Sequence, residues 1–373
     1  MSNYEELFRK KYVEEQKKIY LELFGSENTK TLELPKNYRE YLKIGIDRLS
    51  LDIKYNDLKE STRDLKNIRI QGEFFNFFKT GKFKGNFYCK LDINLPRNLY
   101  GTNIKNVRDK KLIIKSFSKA FDELKDMGII ISKKSIVEYM EINKYIILDE
   151  PIHKMEQTFT IIRKNIVKGH FSREDRHYNR SKNKTGAMFG TINKSITFYS
   201  KILEILKLEN LDDISFVSLR KIVSKFKEFL RFEIKLKNNS LENVLSRKLT
   251  LEELLESPED VIDEIFEKIV IESGFTEESL EVNLDKSVKM FLRIFKRYKR
   301  VHERSFILRF VKDYSCKLWG GEQLEMIANQ SSDSKFVRRD RKRSLKKEFK
   351  ATKDSEIDCM DCIKKVIKDL DFF

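Results

Sequence analysis

Cysteine is scarce in this chain. Cys89, Cys316, Cys359 and Cys362 cannot frame 373 residues with disulfides, so a reducing compartment is expected. Cys359 and Cys362 form a C-x-x-C, but no second Cys or His pair completes a zinc set, and the two thiols read as incidental. Histidine is scarce too: His153, His170, His177 and His302 include no His-x-His pair. A bound metal would therefore be held mostly by carboxylates, which selects Mg²⁺ or Mn²⁺ rather than zinc. No window approaches the ~20 apolar residues of a membrane span. The opening MSNYEELFRKKY lacks the apolar core of a signal peptide. A soluble, cytoplasmic protein with no membrane partner is expected. No fixed-period repeat is present.

What the chain has in quantity is charge. Lys and Arg exceed Asp and Glu by 17, which favours a polyanionic partner, either nucleic acid or an anionic membrane surface. The cations are spread through segments that also carry core residues rather than gathered on one amphipathic helix, which favours nucleic acid. An AT-biased, lysine-rich coding sequence gives the same excess, so charge narrows the class without naming a function. At 40% hydrophobic residues the chain can bury one large core or two ordinary ones.

Periodicity predicts a helix over 4–24, with Tyr12, Ile19, Tyr20, Leu23 and Phe24 among its apolar positions and Gly25-Ser26 as its stop. Strands are expected at 46–55, 86–95 and 135–148, and a helix at 110–127 closed by Gly128. Residues 151–168 read as helical, and 169–186 as a basic loop almost without apolar residues. Strands at 187–192 and 195–202, joined by Asn193-Lys194, suggest a hairpin. Helices at 202–209 and 214–229 and a strand at 230–237 follow. Beyond 248 the pattern is helical: Ser257-Pro258-Glu259-Asp260 is a start signal, Gly274 a stop, and another helix is expected at 284–300. The run 335–350 is strongly basic. This mix gives an α+β fold, an open antiparallel sheet with helices on one face and the other face free to meet a ligand, followed by a helical C-terminal region. The boundaries fall at 1–43, a helical extension; 44–248, the sheet domain; 249–334, helical; and 335–373, a basic tail.

Chemistry-bearing residues alternate along three strands. In SITFYSKI, Ile196, Phe198 and Ile202 face a core, while Thr197, Tyr199 and Lys201 share the other face. A nearby ammonium favours ionisation of a phenol whose pKa is otherwise near 10, and can also neutralise charge on phosphorus. In RFEIKLK, Phe232, Ile234 and Leu236 face the core, and Arg231, Glu233, Lys235 and Lys237 the other side. Glu233 suits a metal and the cations suit phosphates. In YMEINKY, Glu141 shares a face with Tyr139, Asn143 and Tyr145. Asp47 and Asp52 fall on opposite faces of the first strand, so at most one joins a common site; Asp52 reads as a solvated partner of Arg48. Each pattern also suits an ordinary solvated strand face.

The segments IDRLSL (46–51), NLYGTNIKNV (98–107), YMEI (139–142), ITFYSK (196–201) and LRFEIKLK (230–237), in this order, resemble the gene II/X family of phage and plasmid replication initiators over about residues 44–240. The third segment departs from the family's usual Arg-Ile-Asp. The resemblance implies a rolling-circle nicking and joining domain at 44–248, an HUH-endonuclease-like core without the His pair, acting in a bacterial host. It implies a sequence-specific nick at an origin presented as single-stranded or hairpin DNA, and a covalent 5′-phosphotyrosine. A divalent metal and a host helicase are the expected accessories. By this match Tyr199 is the nucleophile, Lys201 its helper and Glu233 the family's acid; Glu141 and Asp47, acids on the neighbouring strands, are the further metal ligands expected. Arg173, Arg176, Arg180, Lys182, Lys184, Arg231 and Lys235 are the expected DNA contacts. A non-catalytic origin-binding or copy-number regulator is the rival expectation.

Overall fold

The computed structural model describes residues 3–25, 33–54, 67–83, 86–149, 171, 186–207, 227–281, 289, 343 and 359–370. The chain divides into two compact units, Met1–Ile147 with Arg173–Ile269, and Leu148–Ser172 with Val270–Phe373.

The first unit is built on an eight-stranded open sheet: β1 (Gly45–Ile53), β2 (Arg69–Ile70), β3 (Phe77–Phe83), β4 (Asn86–Asn94), β5 (Ile136–Leu148), β6 (Gly186–Gly190), β7 (Lys194–Ser200) and β8 (Glu228–Lys237). The order is β2-β3-β4-β1-β5-β8-β7-β6, with antiparallel ladders. One face is apolar because alternation puts Leu49, Leu51, Leu91, Ile93, Met140, Ile196, Phe198, Phe232 and Ile234 there, all fully buried. Phe198 and Phe232 meet at 4.9 Å between ring centres, and Phe232 meets Phe266 at 5.7 Å. Each such ring contributes roughly 1.5–3 kcal/mol by leaving water.

The helices over this face start and stop where local chemistry dictates. Asn94 caps α3 (Leu95–Tyr100), whose Pro sits at the start and whose Gly101 closes it in the left-handed region at φ 71°. Asp109 caps α4 (Lys110–Asp126), which buries Ile113, Phe117, Ala120 and Leu124. Between Asn238 and Pro258 lie α6 (Asn239–Leu245) and α7 (Leu251–Glu256); α7 opens with a Thr250–Glu253 capping box. Pro258 then starts α8 (Pro258–Ser273), and Asp263 pairs bidentately with Arg108 at 2.5 and 2.7 Å. In this unit α7 and the start of α8 share the core of the sheet: Leu251 N–H donates to the Ser135 carbonyl at 2.9 Å.

Helices are not confined to one face. α1 (Asn3–Phe24) buries Tyr12, Ile19, Tyr20, Leu23 and Phe24. Its Tyr20 and Phe24 pack on Phe229 at 6.1 and 6.5 Å. By alternation Phe229 lies on the same side of β8 as Arg231 and Glu233, so α1 covers that end of the polar face. The Gln16 amide donates to the Lys227 carbonyl at 2.6 Å. A four-residue helix, α2 (Tyr38–Tyr41), and α5 (Lys201–Lys207) complete the unit.

Strands β2 and β3 lie outside the sequence expectation. In the second unit, α9 (Cys359–Leu370) buries Ile363, Val366, Ile367 and Leu370, and Lys365 pairs with Asp149 at 2.8 Å. The end of the expected basic tail is thus an amphipathic helix. The expected segments 151–168, 214–226, 284–300 and 335–350 lie outside the described residues, apart from single positions. Among the described residues no helix is long and apolar enough to cross a membrane.

Candidate functional site

The polar face carries its acids by two different routes. Glu141 and Glu233 follow simple alternation on β5 and β8. Asp47 does not. Its place in the sequence puts it on the apolar side with Leu49, but the β1–β5 register shifts between Ile46 and Arg48, so Asp47 is an extra residue in a bulge. The bulge turns Asp47 and its neighbour Arg48 to the same side. Asp47, Glu141 and Glu233 then bring one carboxylate oxygen each within 4.8 Å of one another. All three are buried.

Three carboxylates in one place repel unless cations answer them. Arg231, fully enclosed, sits 2.7 Å from Asp47 through Nη2, an ion pair without the alignment of a hydrogen bond. Its Nη1 donates to the Asn103 carbonyl at 2.7 Å and to the Tyr145 hydroxyl at 3.2 Å. Lys235 Nζ lies 2.8 Å from Glu233 and 3.3 Å from Glu141. The consequences differ by residue. Burial pushes Asp47 up against the pull of Arg231. Burial and the charge of Glu233 raise Glu141 to about 6. Burial also acts to raise Glu233, but Lys235 and Arg231 outweigh it and hold Glu233 below the usual range.

Tyr199 joins this cluster. Its hydroxyl donates to Glu233 Oε2 at 2.9 Å, and the residue is 7% exposed. Burial drives its phenol well above the ordinary tyrosine value. Tyr139 donates its hydroxyl to Glu141. The cluster opens into a cleft of about 320 Å³ lined also by Arg48, Asn76, Asn94, Asn103 and Glu204.

Three expectations are corrected. Lys201 does not share a strand face with Tyr199. β7 ends at Ser200, whose hydroxyl accepts the Leu203 N–H at 3.3 Å and starts α5. Lys201 Nζ instead reaches Asn103 Oδ1 at 3.0 Å and Glu204 at 2.6 Å, almost wholly buried. It touches the cluster through Asn103, which also holds Arg231. Arg231, expected among the DNA contacts, has no surface to offer, because Asp47, Tyr145 and Asn103 enclose it. Arg48 pairs not with Asp52 but with Asp92, at 2.8 Å. Lys235 stays about a third exposed, tied to two acids. Arg173, Arg176, Arg180, Lys182 and Lys184 lie outside the described residues.

Sequence reasoning did not assign roles to Asn103, Glu204 or Tyr145. Asn103 lies in the NLYGTNIKNV segment, whose sequence signals the neighbourhood but not these bonds. Comparison of the chain with family models, curated proteins and solved structures finds no match.

Proposed function

We propose that this chain cuts and rejoins one DNA strand by transferring a phosphoryl group to Tyr199, like the initiators it resembles. One observation carries the reading: the Tyr199 hydroxyl is hydrogen-bonded to Glu233 inside a cleft where three strands converge three carboxylates. On this reading the sheet is an HUH-endonuclease-like core without its His pair.

The residues present suit a divalent metal. The donor set is all oxygen, and Asp47 Oδ1 is buried without a hydrogen-bond partner. Asp47, Glu141 and Glu233 would hold Mg²⁺ or Mn²⁺, which polarises a phosphate oxygen. Lys235, which pairs with Glu141 and Glu233, would have to yield these acids to a bound ion. Tyr199 Oη attacks phosphorus, and the bond from phosphorus to the 3′ oxygen breaks. Glu233 takes the phenol proton across the existing hydrogen bond, and the departing 3′ oxygen takes a proton from water. The 5′ phosphate stays on Tyr199 until the reverse step rejoins the strand. Arg231 and Asn103 keep the acids and Lys201 in place from behind the reacting atoms.

The rival reading is a non-catalytic origin-binding or copy-number regulator. It is favoured by the ion pairs that Arg231 and Lys235 already make within the cluster. The two part on one assay. Purified protein with Mg²⁺ relaxes a supercoiled plasmid carrying its own origin, and Glu141→Gln or Glu233→Gln stops relaxation while the fold survives. A parent protein that binds the origin and never relaxes the plasmid is the regulator.

A further inference from the structure

The polar face continues past the cleft onto β4, β3 and β2, where its character changes. The register aligns Asp52 with Lys90, Lys90 with Lys79, and Lys79 with Arg69. Three cations therefore stand in one row across three adjacent strands, a span of about 10 Å. Two of the cross-strand pairs, Lys90–Lys79 and Lys79–Arg69, oppose like charges directly, an arrangement that destabilises a sheet. Compensation is partial. Lys90 pairs with Glu138, which a second register shift in β5 turns to this face. Among the described residues no carboxylate pairs with Lys79 or Arg69. What they have are rings: Arg69 lies 5.2 Å from the centre of Phe77, and Lys79 lies 5.3 Å from that of Tyr88. The Tyr88 ring rests against Gly81, where a Cβ would come within 2.6 Å of it. Both rings are half-buried, and they flank the cation row on either side.

We propose that this half of the sheet face, with Arg69, Lys79 and Lys90 as its cations and Phe77 and Tyr88 as its rings, binds single-stranded nucleic acid. A polyanion relieves the opposed cations. Rings beside a cation row suit bases whose faces are free to stack, which a single strand offers and a B-form duplex hides within its own stack. The platform adjoins the cleft through Asp92, which pairs with Phe77 across the ladder and also holds the cleft residues Arg48 and Asn76. It depends on the proposed nicking only for what the strand is then used for. Binding itself needs neither Tyr199 nor metal.

The test uses the full chain in EDTA and a fluorescein-labelled oligothymidine of 15 nucleotides, followed by anisotropy. Tyr88→Leu and Phe77→Leu keep apolar bulk and remove a stacking surface, and each should weaken binding about five-fold or more. Arg69→Ala with Lys79→Ala should weaken it further and flatten the dependence of log affinity on log salt by about 1.4. Thermal unfolding of each variant confirms the fold. Parent affinity in natively folded variants overturns the proposal. So does a 15-base-pair duplex bound as tightly as the single strand, or polyglutamate displacing the oligonucleotide equally well. Tyr199→Phe separates the two readings: it should retain this binding while losing covalent adduct. Adduct formation with platform variants that bind normally removes the platform alone. Loss of binding in those variants beside a parent that forms no adduct removes the nicking alone.

Discussion

The two halves of one sheet face spend their charges differently. Around β1, β5 and β8 three acids are answered inside the fold by Arg231 and Lys235 in a buried cluster. Across β4, β3 and β2 the cations stand opposite cations and lean on rings. A buried charge must be matched inside the fold, because desolvation leaves it no other partner. A half-exposed charge can wait for a ligand. The first half is therefore where loss of a cation should cost stability, and the second where it should cost binding.

The largest contrast is between Arg231 and the open row. Arg231→Gln leaves Asp47 buried without its guanidinium and should destabilise the fold by about 3–5 kcal/mol, read from the urea midpoint. If Arg231→Gln unfolds like the parent, the cluster is not a matched network. A smaller effect belongs to pH. Glu141 sits at about 6, above its ordinary value of 4.5, so the folded state prefers it protonated. Its penalty is absent below about 4.5, grows as pH rises to 6, and amounts to about 2 kcal/mol above that. Glu233, held low, contributes in the opposite sense, and its share is lost as pH falls below 4.5. Glu141→Gln should remove the loss of stability between pH 4.5 and 6 in metal-free protein; an unchanged profile assigns that loss to another group. Metal binding needs ionised carboxylates, so the thermal shift produced by Mn²⁺ should shrink below pH 6. A shift that is flat from pH 5 to 8 places the ion elsewhere. The smallest effect is expected at Lys79. Lys79→Thr removes both like-charge pairs of the row and should leave stability within about 0.5 kcal/mol of the parent, or slightly above it at low salt. A clear loss of stability means the row is structural.

How much of this was legible follows from the physics of each element. Helix α1 was readable because its apolar positions repeat and Gly25 ends it at φ 84°. Strand β8 was readable because Phe232, Ile234 and Leu236 alternate with charge, and Glu141 and Glu233 followed from the same period. A ligand role for Asp47 runs against its parity. A bulge is what placed it, and bulges add a residue without changing the local composition. Lys201 departs from its expected face for the opposite reason. Alternation continues smoothly through Ser200, and only the capping bond of that serine shows that the strand has ended. Strands β2 and β3 were missed because one is two residues long and the other carries Gly81 within its run, where a glycine weakens the strand signal. The cation row was invisible for a deeper reason. Arg69, Lys79 and Lys90 are brought together by register, and register is a property of the sheet rather than of any one segment.

The most direct measurement of the central claim is covalent. Parent protein and Tyr199→Phe are incubated with Mg²⁺ and an origin oligonucleotide labelled on the 3′ side of the nick, denatured, and resolved by mass. The substitution removes one oxygen and one buried hydrogen bond, worth about 0.5–1.5 kcal/mol, so the variant should fold and bind. Label should travel with the parent protein on the peptide containing Tyr199 and be absent from the variant. Labelled adduct at parental levels from Tyr199→Phe would contradict the account.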